Sequence, residues 1–445
     1  MQLILDYKNF LDSGKTEREC VKTIISMAEK KGYKSLESYK SLKKGDKFYI
    51  TKMNKAIALF QMGQESLENG MNILGAHIDS PRLDGKQNPI YEKDNIFYFN
   101  THYYGGIKKY QWTTIPLALH GVVCKKDGSV IDICIGEDED DPVFTISDIL
   151  PHLAQEQMKN NAQEFIKGED LDLIFGSTVP STEEEDDDDK KKSKKDNPIY
   201  KLLKEKYNIE KDDFNSSEIE IVPSGKARDL GLDRSLILAY GQDDRSCAFS
   251  SVQALLDTEA NERTLCCLCV DKEEIGSYGA TGMASNLFEN MIAEVIAKSE
   301  TNYSELTLRR CLSNSYMLSS DVNAAFDPLN ANLYDKDNAS MLGSGLTFQK
   351  YTGARGKSGA SDANPEFISK IRALMDKYNV RYQMAELGKV DQGGGGTIAY
   401  HAAKYGMNVL DAGVAVLSMH APWEITSKED IMQAYNGNKA FLEIK

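Results

Sequence analysis

Five side chains of metal-ligating type constrain this chain more than anything else in it. His77, Asp243, Glu274, Asp321 and His420 each follow a run of apolar residues, and long intervals separate them. Spacing this wide cannot make a zinc finger, whose ligands come in close pairs. It calls for a folded scaffold that collects distant positions. Apolar strand-like runs that end in functional side chains are what an open α/β sheet presents along one edge. The pattern therefore predicts an α/β fold, a mixed sheet flanked by helices.

The run 71–74 enters Gly75-Ala76-His77-Ile78-Asp79-Ser80-Pro81 and reads as a buried strand with His77 at its end. Asp79, two residues on, projects to the same side of an extended chain and could hold the imidazole so that its other nitrogen faces a metal. The alternative is a turn in which Asp79 satisfies backbone donors. Gly241-Gln242-Asp243-Asp244-Arg245-Ser246 lies between strand-like 236–240 and helix-like 247–256. Two carboxylates at a helix start serve as caps in the plain reading. In the functional one Asp243 ligates metal, bridging two ions, while Asp244 or Arg245 braces the loop.

The strand-like run 264–270 leads into Asp271-Lys272-Glu273-Glu274-Ile275-Gly276-Ser277. Adjacent glutamates in an extended segment point to opposite sides, so one can ligate a metal while its neighbour reaches a bound water as general base. Asp321 ends the run 316–320 and His420 ends 409–419. Taken alone, each is as well explained as a structural residue.

Through these blocks the chain resembles the aspartyl aminopeptidase family of dinuclear zinc metallopeptidases, its bacterial members most closely. The likeness runs nearly the whole length and includes GAHIDSP at 75–81, Asp-Asp-Arg-Ser at 243–246, DKEEIGS at 271–277, Ser320-Asp321 and Leu417-Ser418-Met419-His420. It implies a zinc-exopeptidase-like sheet and hydrolysis of the N-terminal residue from peptides with a free N-terminus. It implies that His77, Asp243, Glu274, Asp321 and His420 hold two Zn²⁺ per subunit with Asp243 bridging, that Asp79 orients His77, and that Glu273 is the general acid and base. Mn²⁺ or Co²⁺ could replace zinc, because carboxylate-rich sites accept them. The resemblance further implies that an inserted β-rich domain mediates dimerisation and carries His152 into a neighbouring subunit's site, and that dimers assemble into a tetrahedral dodecamer. A histidine at a helix start is the plain reading of His152. The same residues would serve a carboxypeptidase or deacylase. A non-catalytic assembly scaffold is a reading from another class, and the intact Glu273 argues against it. A glycosidase using Glu273 and Glu274 would leave the histidines unexplained.

With 445 residues the chain is long enough for two domains. The expected division is a first catalytic segment over residues 1–90, an inserted β-rich dimerisation domain over 91–227, and a second catalytic segment over 228–445. An amphipathic helix is expected over 16–31. The β-forming stretch 112–135 carries a hairpin turn at Lys126-Asp127-Gly128, and helical patterns at 363–378, 398–404 and 428–441 alternate with strands. Segment 181–196 sets an acidic block beside a basic one and is expected to be a mobile surface loop.

A net charge of −15, from 53 basic and 68 acidic residues, argues against nucleic acid or an anionic membrane as partner. No apolar run reaches the roughly 18 residues of a membrane span, and the first ten residues lack a basic stretch followed by an apolar core, so a cytoplasmic address is expected. Of eight cysteines, Cys266, Cys267 and Cys269 share one apolar run; alternation turns the last two to one face and Cys266 to the other, as core thiols. Gly393 to Gly396 lacks the lysine of a phosphate-binding loop; in the peptidase reading Gly395 lets backbone approach the substrate. Lys350 would meet a substrate carboxylate or carbonyl, or stand as a surface lysine.

Overall fold

The computed structural model describes residues 2–177, 197–259, 262–299, 303–353 and 355–444; the charged segment 181–196 lies outside them. The chain forms two compact units, Met1–Ser80 with Lys226–Lys445, and Pro81–Gly225. The first expected boundary, at 90, falls inside the strand Arg82–Lys93, which starts directly after the His77 turn.

In the larger unit a nine-stranded sheet runs from edge to edge as Lys34–Ser35, Lys47–Lys52, Ala56–Gln61, Thr264–Val270, Met71–His77, Tyr316–Ser319, Asn408–Gly413, Leu346–Gln349 and Tyr382–Met384. The strands Thr264–Val270, Met71–His77, Tyr316–Ser319 and Asn408–Gly413 are parallel neighbours. Every residue of the first two is buried, as strands covered on both faces must be. Side-chain alternation then decides which core each residue joins. Leu74, Ala76, Cys267 and Cys269 join the core built with helices Gln2–Ser13, Glu17–Lys30, Gln242–Leu256 and Lys428–Leu442. Ile73, Cys266 and Leu268 join the opposite one, under Leu287–Ser299, Glu305–Ser313 and Ile398–Ala403. The three cysteines thus divide by alternation, and all eight in the chain are free thiols.

Helix Glu17–Lys30 begins at a closed capping box. Thr16 Oγ1 accepts from the Glu19 N–H at 3.2 Å, and the Glu19 carboxylate accepts from the Thr16 N–H at 3.1 Å. Gln242–Leu256 is buried along almost all of its length, with the Phe249 ring 5.4 Å from Tyr7 and 5.6 Å from Phe10.

The same unit holds a five-stranded sheet in the order Arg228–Leu230, Leu236–Ala239, Glu424–Ser427, Ala415–Leu417, Asn323–Ala324. Two segments pass into it from the large sheet. Tyr316–Ser319 continues through Asp321 to Asn323–Ala324, and Asn408–Gly413 continues through Val414 to Ala415–Leu417. Glycine is needed at this fork, because a Cβ on Gly413 would lie 1.7 Å from the Asp321 carbonyl oxygen.

The smaller unit is a six-stranded antiparallel sheet, Val130–Ile135, Leu117–Cys124, Ser217–Pro223, Arg82–Lys93, Ile96–Tyr104, Leu173–Ser177. Its first two strands form the hairpin expected around Lys126-Asp127-Gly128. Asp127 Oδ1 accepts from the Ser129 N–H at 2.9 Å, and Gly128 takes φ +87°. Buried Phe99 and Phe144 belong to its core, and the half-buried Phe175 ring packs on both with ring centroids 5.0 Å apart.

Candidate active site

Parallel strands bring their C-terminal ends to one edge, and the candidate ligands follow from that. His77 is the last residue of Met71–His77, Glu273 and Glu274 follow Thr264–Val270, and Asp321 follows Tyr316–Ser319. Asp243 arrives at the junction between Leu236–Ala239 and helix Gln242–Leu256, with non-helical φ/ψ and a cis peptide to Asp244. His420 sits in the turn between Ala415–Leu417 and Glu424–Ser427 at φ +64°.

The structure brings all five together with Asp79 and Glu273. His77 Nδ1 faces Asp79, 3.3 Å from its carboxylate and 3.1 Å from its carbonyl oxygen. Nε2 is thereby turned toward Asp243 Oδ1 at 3.3 Å and Asp321 Oδ1 at 3.9 Å. On the other side, His420 Nε2 lies 3.3 Å from Asp243 Oδ2 and 3.5 Å from Glu274 Oε2. Asp243 therefore stands between the two rings with one oxygen toward each. The donor set has two lobes that share it: His77, Asp243 and Asp321 in one, His420, Asp243 and Glu274 in the other.

Glu273 and Glu274 are not in the extended segment that the sequence suggests. Lys272 takes a left-handed φ of +69° and Glu273–Ile275 is a single 3₁₀ turn. Asp79 makes that turn: its Oδ1 accepts from the Glu273 N–H at 3.1 Å and its Oδ2 from the Glu274 N–H at 3.2 Å. A turn rather than strand alternation separates the two side chains. Glu274 joins the His420 lobe, while Glu273 offers an oxygen within 4.8 Å of ligating atoms of His77 and Asp321.

Two further carboxylates grip ligand backbones. Asp244 Oδ2 accepts from the His77 N–H at 3.3 Å. Glu424, which sequence reasoning missed, accepts from the Asp243 N–H through Oε2 at 2.9 Å and from the His420 N–H through Oε1 at 2.7 Å. A single glutamate in an ordinary strand carries no local signal of this role. Arg245 braces elsewhere, donating to the Lys15 carbonyl at 2.8 Å and lying over the Tyr240 ring.

Burial governs the protonation of the cluster. It pushes the Glu273 carboxyl up to about 8, with the nearby Asp321 adding to the effect, and it raises Glu274, beside Asp243, well above the usual range. Asp321 is raised by burial as well. Burial opposes charge on both rings, yet hydrogen bonds to carboxylates win: His77 is raised well above its ordinary value by Asp243, Asp321 and Asp79, and His420 to about 10 by Asp243 and the neighbouring Glu274. Asp243 is held low against its burial by hydrogen bonds from His420 and His77.

These residues fit a divalent metal centre. Asp79, Asp243, Asp244, Glu273, Glu274 and Asp321 outnumber the two imidazoles, and burial drives several of these carboxyls to hold protons in the metal-free chain, protons that a divalent cation would displace. Glu274 Oε1 is buried and accepts no hydrogen bond, which leaves a donor atom for a cation. Mixed imidazole and carboxylate donors suit zinc and its first-row neighbours.

The remaining sequence candidates are not among these donors. His152 belongs to the smaller unit, exposed in the turn Pro151–Leu153. Lys350 follows Leu346–Gln349 and pairs with Asp362 at 2.5 Å. The Gly395 carbonyl accepts from the Gly353 N–H at 2.6 Å, tying together two loops that line a cavity of about 400 Å³ between Tyr351, Thr352, Gly353 and Leu387, Gly388, Gly393. Thr397 then anchors the glycine-rich segment by donating to Asp411 at 2.6 Å, on the strand residue paired with Ser319.

The profile of the family described as aminopeptidase I zinc metalloprotease (M18) matches residues 10–442. Among solved structures, the chain is similar to an M18-family aminopeptidase from Thermotoga maritima, with TM-score 0.93 and 43% identity over 99% of this chain and 95% of that one. It is similar to aminopeptidase I from Clostridium acetobutylicum, with TM-score 0.88 and 53% identity over 98% of this chain and 94% of that one. It also shares its fold with mApe1 from S. cerevisiae, solved as a dodecamer, at TM-score 0.78 and 20% identity over 98% and 95% of the two chains.

Proposed function

The chain belongs to the aminopeptidase I zinc metalloprotease (M18) family and is thus a zinc peptide hydrolase; from that premise we propose that it removes N-terminal residues at a two-zinc centre held by His77, Asp243, Glu274, Asp321 and His420, with Glu273 as general acid and base. The observation that carries this reading is Asp243, with one oxygen toward His77 and the other toward His420. Each lobe then supplies one imidazole, one carboxylate of its own and a share of Asp243.

Zinc in these lobes would lower the pKa of a water toward neutrality and polarise the scissile carbonyl. Asp79 faces His77 Nδ1 and keeps the ring proton there, leaving the Nε2 lone pair for ligation. Glu273 accepts a proton from the attacking water and returns it to the departing amine nitrogen. Zinc held here would also offer a ligand position to a free α-amino group and none to a blocked one, which would account for exopeptidase selection. Lys350, Gly395 and the cavity beside them are the proposed substrate-binding surface.

The dodecameric state of mApe1 supports a homo-oligomer. The proposed assembly is of dimers formed through the Pro81–Gly225 unit, with His152 entering the partner's site, gathered into a tetrahedral dodecamer. Among the described residues no helix is long and apolar enough to cross a membrane, and eight free thiols suit the reducing cytoplasm, the proposed location.

Release of free amino acid from N-terminal aminoacyl reporters, compared between wild type and Glu273→Gln with Zn²⁺, Mn²⁺ or Co²⁺ supplied, tests the proposal. Glu273→Gln should lose about 10²–10⁴ in rate and keep its metal. Cleavage confined to N-blocked or C-terminal substrates would instead mean a deacylase or carboxypeptidase.

A further inference from the structure

We infer that Glu424 is the positioning residue that sets the two lobes of the donor set in register, by holding the backbone of Asp243 with one carboxylate oxygen and that of His420 with the other. The inference rests on the reading of those two residues as metal ligands. Both contacts are short, 2.9 Å from the Asp243 N–H and 2.7 Å from the His420 N–H, and Glu424 is 1% exposed. The segments it joins are far apart in sequence, Asp243 ahead of the regular part of helix Gln242–Leu256 and His420 in the turn before Glu424–Ser427.

Each segment needs such a hold. His420 sits at φ +64° and Ser418 before it at φ +58°, left-handed conformations that non-glycine residues keep only when their surroundings enforce them. Asp243 departs from helical φ/ψ within a helix that is otherwise regular from Arg245 onward. Glu424 is itself fixed. It pairs with Ala239 across the small sheet, and its carbonyl accepts from Gln242 Nε2 at 2.7 Å. Gln242 is held in turn by the Tyr7 hydroxyl at 2.9 Å and the Thr426 hydroxyl at 2.5 Å. The framework therefore runs from the sheet, through Glu424, to two ligand backbones, and Glu424 acts without ligating.

Stepwise titration of the full-length protein with Co²⁺, read by visible absorption, tests this. Wild type should take two ions, and His420→Ala identifies the step that belongs to the His420 lobe. In Glu424→Gln the amide must turn a donor toward one of the two N–H groups. The His420-lobe step, which draws on both held backbones, should weaken about tenfold or more, the His77-lobe step, which shares only Asp243, should weaken by no more than that, and thermal unfolding of the metal-free protein should stay close to wild type. Glu424→Asp, one methylene shorter, reaches one N–H and not both, and should show the same loss. Either variant, folded and binding both ions as wild type does, overturns the inference; so does a weakening confined to the His77-lobe step. A wild type that binds one ion overturns the two-lobed reading beneath it.

Discussion

Replacing Asp79 by asparagine should disable the site from its backbone. The carboxylate accepts from the Glu273 and Glu274 N–H groups at 3.1 and 3.2 Å while facing His77 Nδ1 at 3.3 Å. Asparagine retains one acceptor oxygen and presents an NH₂ where the second was, so one charge-assisted hydrogen bond becomes a donor facing a donor, at a cost of about 1.5–3 kcal/mol. At about 1.4 kcal/mol per decade, that is roughly a 10- to 150-fold loss in metal affinity, in the range found for residues that support metal ligands. Because the same turn carries Glu273, kcat should stay below wild type even at saturating zinc. Competition against a chromophoric chelator measures the affinity, and kcat at saturating metal measures the second effect. A variant that binds zinc within about threefold of wild type and recovers full kcat refutes the reasoning.

Metal binding should strengthen with pH. His420 is raised to about 10 and His77 well above its ordinary value, so both rings are protonated near neutrality in the metal-free chain and must lose protons to ligate. Affinity should rise about tenfold per pH unit for each proton displaced, and calorimetry in buffers of different ionisation enthalpy should register the release; pH-independent binding refutes it. Gly413→Ala should cut kcat/KM by about a hundredfold, since the 1.7 Å approach to the Asp321 carbonyl forces that ligand segment to move by an ångström or more; steady-state kinetics with metal analysis decides. Asp229 accepts from Lys8 and Lys428, each at 2.9 Å, and hydrogen bonds from Lys428 and then Lys8 hold its carboxyl down at about 2. A depressed folded value stabilises above the unfolded value near 3.9 and is lost as pH falls toward 2. Asp229→Asn should therefore cost about 1 kcal/mol at pH 7, with the gap narrowing below about pH 4 in denaturant titrations.

The strand ends were legible because each combined an apolar run with a residue whose chemistry is conspicuous there. His77, with Asp79 two residues on, stood out from that alone; Asp321 stood out only once the other strand ends were set beside it. The division of Cys266 from Cys267 and Cys269 followed from the period of two alone. The shape of the Glu273-Glu274 segment did not follow, because its 3₁₀ turn is imposed by Asp79, far away in sequence, and a local pattern cannot carry a non-local hydrogen bond. Glu424 was invisible for the same reason. Its partners lie in the Asp243 motif and four residues upstream, and a Pro-Trp-Glu-Ile stretch has no distinguishing composition. The long strand Arg82–Lys93 starts straight after the His77 turn with no intervening linker, so no shift of composition marks that boundary.

The order of strands in the large sheet has a consequence for how the chain is made. Ala56–Gln61 and Met71–His77 are separated in the sheet by Thr264–Val270, and Met71–His77 is flanked on its other side by Tyr316–Ser319. During synthesis Ala56–Gln61 leaves the ribosome next to its antiparallel partner Lys47–Lys52, but Met71–His77 leaves without a neighbour, and the first strand that fits it is nearly two hundred residues behind. At about 5–20 residues per second that wait is roughly 10–40 s, during which the Pro81–Gly225 unit has its full sequence and Met71–His77, buried at every residue in the end, has no cover. A nascent chain stalled with Gly225 clear of the ribosome should therefore resist protease over residues 82–177 and 197–225 and be cut before them. One apolar strand left uncovered over that interval is the aggregation-prone element of this topology during synthesis.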